Sequence, residues 1–298
     1  MTDQINLFGE TQSDVVRDIL RQKYIEPPFS VLNTQSGSWQ ERKRTWKALG
    51  IQSEIGRDVH ALNMKDWADK KRETGDLSGN VFPSDMSIFD PALCEVLYRW
   101  FVPDGGYILD PFAGGSVRGI VAAFMGYNYV GIDIRPEQVE ANRDQANEIL
   151  AECDCKPAWM IGDSDKVLDL LTVPMYDFVF SCPPYGDLEV YSDLPGDISN
   201  MEYQEFLTAY RSIIKKSCAL LKPGALACFV VGEFRDKKGN YRGFVPDTIR
   251  AFMDAGMSYY NEAILMNSLA SAAIRADGNM KNKKLVKIHQ NILIFKKI

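Results

Sequence analysis

Three acids and one proline pair carry the chemistry that can be read from this chain. Asp110, Asp133 and Asp163 each close a short apolar run: Tyr107-Ile108-Leu109, Tyr129-Val130-Gly131-Ile132 and Ala158-Trp159-Met160-Ile161-Gly162. Behind Asp110 comes Pro111-Phe112-Ala113-Gly114-Gly115, a turn whose two glycines lack a Cβ and let the backbone approach a bound molecule. A carboxylate at Asp133 can accept hydrogen bonds from both hydroxyls of a ribose, and one at Asp163 can accept from an adenine amino group. The turn lacks the Gly-x-Gly-x-x-Gly spacing of a dinucleotide site, and the acid at its start repels phosphate. The expected ligand is therefore a nucleoside with a positive or zwitterionic group, and S-adenosylmethionine fits.

The second signal is Ser181-Cys182-Pro183-Pro184-Tyr185. A proline pair cannot continue a ladder, so the backbone leaves the sheet there with its carbonyls unpaired. Those carbonyls and the flat Tyr185 ring suit the exocyclic amine of a planar substrate, which needs acceptors for two N–H groups and a face to stack on. The lone pair of such an amine is delocalised into its ring. Holding both hydrogens out of plane frees it to attack a methyl sulfonium in line. The cationic product then loses its proton readily, so no strongly perturbed base is required.

The elements that must position these residues follow a βαβ pattern. The run ending at Asp110, the glycine turn, a helical pattern through Val117, Ile120, Val121 and Phe124, and the run ending at Asp133 make one parallel unit. Ahead of it, Ser87-Ile88-Phe89-Asp90-Pro91 is an N-cap region for a helix through Leu93, Val96, Leu97 and Trp100. After it, Pro136 opens a helix to about Leu150, a third strand ends at Asp163, and a fourth, Tyr176 to Ser181, leads into the proline pair. A helix from Tyr203 to Leu221, a fifth strand from Gly224 to Phe234 and a helix from Pro246 to Ala255 come next. The last two strands, Met257 to Met266 and His289 to Phe295, are joined by a long Lys-rich loop. This predicts a doubly wound, mostly parallel α/β sheet whose ligand sits at the carboxyl ends of the strands. Residues 1–80 form an N-terminal tail with a helical appendage, and residues 81–298 the main domain. Within the appendage, Trp39, Arg42, Lys43, Arg44, Trp46 and Lys47 admit two readings: cations and a ring for nucleic acid, or a helix whose tryptophans pack on the domain. Asp66 to Asn80 reads as a linker or loop.

The chain has 298 residues and a formal net charge of −6. Its six cysteines, in a sequence without a secretory start, are expected to be reduced. Cys153 and Cys155 flank a single Asp with no His near, so no metal is expected. No apolar run is long enough for a bilayer, and a cytoplasmic location with no membrane contact is expected. The negative charge argues against non-specific coating of nucleic acid but not against an enzyme acting on it, because local clustering decides that. Besides the Arg42 group, cations cluster at Arg235, Lys237, Lys238 and Arg242, and at Lys281, Lys283, Lys284 and Lys287.

Asp110-Pro111-Phe112-Ala113-Gly114-Gly115 resembles the cofactor motif of DNA amino-methyltransferases that act on adenine N6 or cytosine N4. Cys182-Pro183-Pro184-Tyr185 resembles their Asp/Asn/Ser-Pro-Pro-Tyr catalytic motif. The resemblance runs from about Phe82 to the C-terminus and is strongest to phage-type members with a Ser-Cys-Pro-Pro-Tyr variant. It implies a seven-stranded sheet with an antiparallel last strand, methyl transfer from S-adenosylmethionine to DNA, and a flipped target base. It places Ser87 and Phe89 at the methionine end of the cofactor. Asp110, Pro111, Phe112, Gly114, Gly115, Asp133 and Asp163 lie along its length, with Cys182, Pro183, Pro184 and Tyr185 on the target amine. Cys182 departs from the family pattern, being a weak acceptor; the Pro183 carbonyl, Ser181 or Asp187 must then supply the oxygen, and adenine versus cytosine stays open. A Cys182 nucleophile for carbon-5 methylation, an RNA base as substrate, and a silent nucleoside-binding protein are the alternatives. Gln4-Ile5-Asn6-Leu7-Phe8 is similar to the peptide with which bacterial replication proteins dock on the sliding clamp. His289 is read as structural, and Glu233 and Asp236 have no assigned role.

Overall fold

The computed structural model describes residues 12–51, 89–171, 175–186, 192–267 and 272–298. Gln4–Phe8, the 66–80 stretch, Ser87 and Asp187 lie outside the described residues. The strands are β1 (Val31–Asn33), β2 (Tyr107–Asp110), β3 (Asn128–Asp133), β4 (Ala158–Ile161), β5 (Tyr176–Ser181), β6 (Leu221–Val231), β7 (Met257–Met266) and β8 (His289–Lys297). They form one sheet in the order β1-β7-β8-β6-β5-β2-β3-β4. Only β8 runs antiparallel to its neighbours, β6 and β7.

The sheet is buried on both faces because its central strands alternate between two cores. In β5, Phe178 and Phe180 enter one core and Val179 the other; in β6, Cys228 and Val230 oppose Ala227, Phe229 and Val231; in β8, Ile292 and Ile294 oppose Leu293 and Phe295. That is the period-two projection of a pleated strand, with an apolar residue on each face. The first core is covered by helices α2 (Gly37–Ala48), α3 (Pro91–Phe101), α4 (Val117–Phe124) and α5 (Pro136–Ile149). The second is covered by α6 (Ser164–Val167), α7 (Tyr203–Ala219) and α8 (Phe244–Asp254). The chain also forms α1 (Gln12–Tyr24) and α9 (Ala272–Lys281). No helix among the described residues is long and apolar enough to cross a membrane.

Two features differ from expectation. The sheet has eight strands, because β1 of the N-terminal segment pairs parallel to β7 (Val31 opposite Ile264) and extends the edge beyond the seven expected strands. The segment between β7 and β8, expected as a loop, contains α9. In the tryptophan-rich helix the packing is specific. Trp39 and Trp46 are buried, and their indole N–H groups donate to Asp90 (3.1 Å) and Glu95 (2.8 Å) on and before α3. Arg42 and Lys43 pair with the same two carboxylates, at 2.6 and 3.1 Å. The rings and these two cations tie α2 to the domain.

Close packing over β3 depends on glycine, at Gly131 and at Gly119 of α4. A Cβ at Gly131 would lie 2.8 Å from the Ala113 Cβ and 2.9 Å from the Trp159 ring. Gly131→Ala is expected to cost about 1–3 kcal/mol through overpacking, visible as a melting temperature lower by several degrees. An unchanged melt would show that this layer has room to give.

Candidate active site

The strand order reverses between β2 and β5: β3 and β4 follow on one side of β2, and β6 on the far side of β5. In an open α/β sheet this is where a crevice forms outside the carboxyl ends of the strands. The glycine turn leaves β2 there and the proline pair leaves β5 there. One cavity of about 710 Å³ occupies the crevice, and its wall includes Gly114, Gly115, Asp133 and Asp163 together with Cys182, Pro183, Pro184 and Tyr185. That volume falls within the range of small-molecule sites.

The glycine turn is held at four successive carbonyls. Ser164 donates to the Pro111 carbonyl (2.5 Å), Arg118 Nη2 to those of Phe112 (2.6 Å) and Ala113 (2.8 Å), and Asn142 to that of Gly114 (2.7 Å). Gly114 adopts φ +52, and a Cβ there would meet nothing within 4 Å, so its bare backbone faces open space. Its N–H donates to Asp133 Oδ2 (2.9 Å), while Asp133 Oδ1 accepts from the Arg135 N–H (2.9 Å). Two backbone donors thus orient the Asp133 carboxylate at the cavity wall. Asp163 caps α6 by accepting from the Asp165 N–H (2.9 Å) and also lies on the wall. Pro111, Phe112 and Phe89 also line the cavity.

Two expected site residues are placed elsewhere. Asp110 is wholly enclosed and does not line the cavity. Its carboxylate accepts from Arg118 Nε (2.5 Å), the Tyr129 hydroxyl (2.7 Å), the Ser181 hydroxyl (2.5 Å) and the Phe112 N–H (3.2 Å). A buried carboxylate requires a cationic partner, and Arg118 supplies it from the first turn of α4. Asp110 is therefore a structural anchor and not a cofactor contact. Ser181 is likewise fully buried: its hydroxyl donates to Asp110 and accepts from the Phe112 N–H (3.2 Å), so it faces the sheet interior and cannot serve a target amine. This network joins the two motifs, since Ser181 immediately precedes Cys182 and Phe112 sits in the glycine turn.

Several residues at the cavity were not anticipated. Arg118 lines it, stacked 4.7 Å over the Phe89 ring. Burial works against its charge, but Asp110 and Tyr129 more than offset this and hold the guanidinium above its ordinary range. Burial and the adjacent Asp110 carboxylate push the Tyr129 phenol well up, so it stays a neutral donor. Thr34, Gln40 and Lys43 of the N-terminal segment reach the wall as well. From β8, Gln290 donates to the Tyr185 hydroxyl (2.8 Å), while the Tyr185 ring stands edge-on to Phe234 and Phe244 at 6.1 and 5.8 Å. His289, read as structural, also lines the cavity, and burial together with Lys287 lowers its pKa, so its imidazole is neutral near pH 7. Glu233 acquires a role: its carboxylate accepts from the Gly243 (3.1 Å) and Val245 (2.7 Å) N–H groups at the start of α8.

A family model described as DNA methylase matches residues 3–144, the stretch that holds the glycine turn and Asp133. Over that span the chain is similar to the DNA methylase family. The match ends before the proline pair, so Cys182–Tyr185 rest on the geometry above. Solved structures similar to this chain include TrmN from Thermus thermophilus, 13% identical with a TM-score of 0.47, over 79% of this chain and 66% of TrmN. They also include magnesium protoporphyrin IX methyltransferase from Synechocystis PCC 6803 with bound SAH, 14% identical with a TM-score of 0.47, over 80% of this chain and 96% of that one. A third is a SAM-dependent methyltransferase from Methanosarcina mazei, 14% identical with a TM-score of 0.46, over 68% and 97% of the two chains. No curated protein matches the sequence.

Proposed function

We propose that this protein transfers a methyl group from S-adenosylmethionine to an exocyclic amine of a base in DNA, adenine N6 or cytosine N4. The observation that carries the reading is the shared cavity: the glycine turn with Asp133 and Asp163 on one wall, and Cys182-Pro183-Pro184-Tyr185 on the other. When bound, S-adenosylmethionine supplies a methyl group on a positively charged sulfur.

The residues present fit such a ligand. The bare Gly114 backbone leaves space against the turn, and Asp133, a carboxylate oriented by two backbone N–H groups, can accept from ribose hydroxyls. Asp163 serves the adenine amino group, and Phe89 bounds the far end. Arg118 neutralises Asp110, so the turn carries no buried net charge. On the opposite wall, the Pro183 carbonyl accepts from the target amine and Tyr185 stacks on its ring, with Cys182 beside them. Ser181 is committed to Asp110, so the backbone carbonyl carries the acceptor role that the family usually gives in part to a side chain. The target base reaches this pocket by leaving its duplex stack.

Asp133→Ala is expected to weaken S-adenosylmethionine binding by about 1–3 kcal/mol, the cost of leaving buried polar partners unpaired. Titration calorimetry reads this directly, and unchanged affinity would remove Asp133 from the site. The activity itself is tested by expressing the protein in methylation-free cells and analysing DNA and RNA nucleosides by mass spectrometry. N6-methyladenine or N4-methylcytosine in DNA supports the reading. 5-methylcytosine would favour a Cys182 nucleophile instead, and methylated RNA alone an RNA substrate. Cofactor binding without transfer to either nucleic acid would favour a silent binder.

A further inference from the structure

Two basic segments that are far apart in sequence meet beside the cavity. After β6 the chain forms a small hairpin in which Arg235 and Tyr241 bridge antiparallel and the Asp236 carbonyl accepts from the Gly239 N–H (2.9 Å). Its exposed tip carries Lys237 and Lys238. The Arg235 guanidinium lies 4.0 Å over the Tyr241 ring and donates to the Gly239 carbonyl (2.8 Å), which stiffens the tip. The other segment leaves the C-terminus of α9, where Lys281 and Lys283 are exposed, and runs to Lys287. Lys284 crosses from this segment onto the hairpin tip and occupies the space that a Cβ of Gly239 would take. The two segments together hold eight Lys and Arg and one acid, in a chain whose net charge is −6.

Both segments are rooted in the cavity wall, the first through Glu233 and Phe234 and the second through Lys287 and His289. Midway along the second, Leu285 stands 72% exposed among the lysines, and Tyr241 on the first is 48% exposed. A large apolar side chain held out to solvent between cations, at the rim of a cavity, suits insertion between stacked bases once the phosphates are gripped. An acidic protein surface would match the charge but offers Leu285 no stack to enter.

We propose that the 235–242 hairpin and the 281–287 segment form a single ridge that grips duplex DNA at its phosphates, and that Leu285 enters the base stack as the target nucleotide leaves it. This deepens the proposed function and rests on it for the second part only. The first part is tested by binding alone. The combined variant Lys237→Gln, Lys238→Gln, Lys283→Gln is titrated with a fluorescent duplex of mixed sequence at several salt concentrations. The slope of log affinity against log salt is expected to fall by roughly three, about 0.9 for each phosphate no longer neutralised. Calorimetric affinity for S-adenosylmethionine is expected to stay at the wild-type value. An unchanged slope, or tighter wild-type binding to RNA duplex of the same sequence, would overturn the ridge as a DNA surface.

For Leu285→Ala, methyl incorporation is compared on duplex DNA and on the same DNA after heat denaturation. A loss of roughly tenfold on the duplex with little loss on single strands is expected, because a single strand has no pair to open. Equal losses on both, or none on the duplex, would overturn the wedge. If the wild-type protein methylates no DNA at all, the proposed function fails and the wedge with it, while the salt slope still decides the ridge.

Discussion

Tyr185→Ala is expected to abolish methyl transfer, lowering the single-turnover rate by about 100-fold or more, while leaving S-adenosylmethionine affinity unchanged. Two effects combine. Stacking of a base on an aromatic ring contributes about 1–3 kcal/mol, and loosening the amine by as little as about 1 Å from its line of attack can cost a further factor of 100. The ring is held from three sides: Gln290 on its hydroxyl, and the edge contacts with Phe234 and Phe244. Tyr185→Phe keeps the face and loses only the Gln290 bond, so it should retain activity to within about tenfold. Calorimetry and single-turnover transfer measured on both variants separate the roles. Weakened cofactor binding in the alanine variant would mean that Tyr185 sits on the wrong ligand, and full activity would remove it from the site.

The fold was legible in the sequence where periodicity is strong. β2, β3 and β5 are apolar runs ending in a polar residue at one sheet edge, and β7 spans Met257–Met266 as its pattern predicts. β1 is a strand of three residues, Val31–Asn33, too short to show an alternation, and it is stabilised by pairing with β7 across more than two hundred residues of sequence. The helix α9 was hidden because Gly278 and a run of polar residues weaken its apolar stripe. At the site, the proline pair and the glycine turn could be found because each needs residue types that little else requires. The three strand-end acids could not be told apart in this way. Asp133 and Asp163 face the cavity and Asp110 does not, and the difference lies in Arg118, a single charged residue in an otherwise apolar helical stretch. A cation on a face that must be buried signals a buried partner, and that signal was available eight residues after Asp110. The contributions of β8, Gln290 and His289, depend on its antiparallel direction, which brings the start of that strand to the edge where the parallel strands end.

Arg118→Ala is expected to be the most destabilising single change among these residues. The Asp110–Arg118 pair is buried on both sides, with side chains 0% and 6% exposed at 2.5 Å. Replacing such a pair with apolar residues can be nearly neutral, but removing one partner strands the other charge, at about 3–5 kcal/mol. The guanidinium also closes the Phe112 and Ala113 carbonyls, so its loss unfastens the glycine turn as well. For a chain of this size the melting temperature should fall by roughly 10 °C. The double variant Asp110→Asn, Arg118→Met should recover part of that loss, since no unpaired charge is left, and the difference between single and double variants isolates the ion pair from the turn contacts. A melt within about 2 °C of wild type for Arg118→Ala would show that Asp110 has another means of compensation. The link between the glycine turn and the strand that delivers Cys182 would then have to lie outside this network.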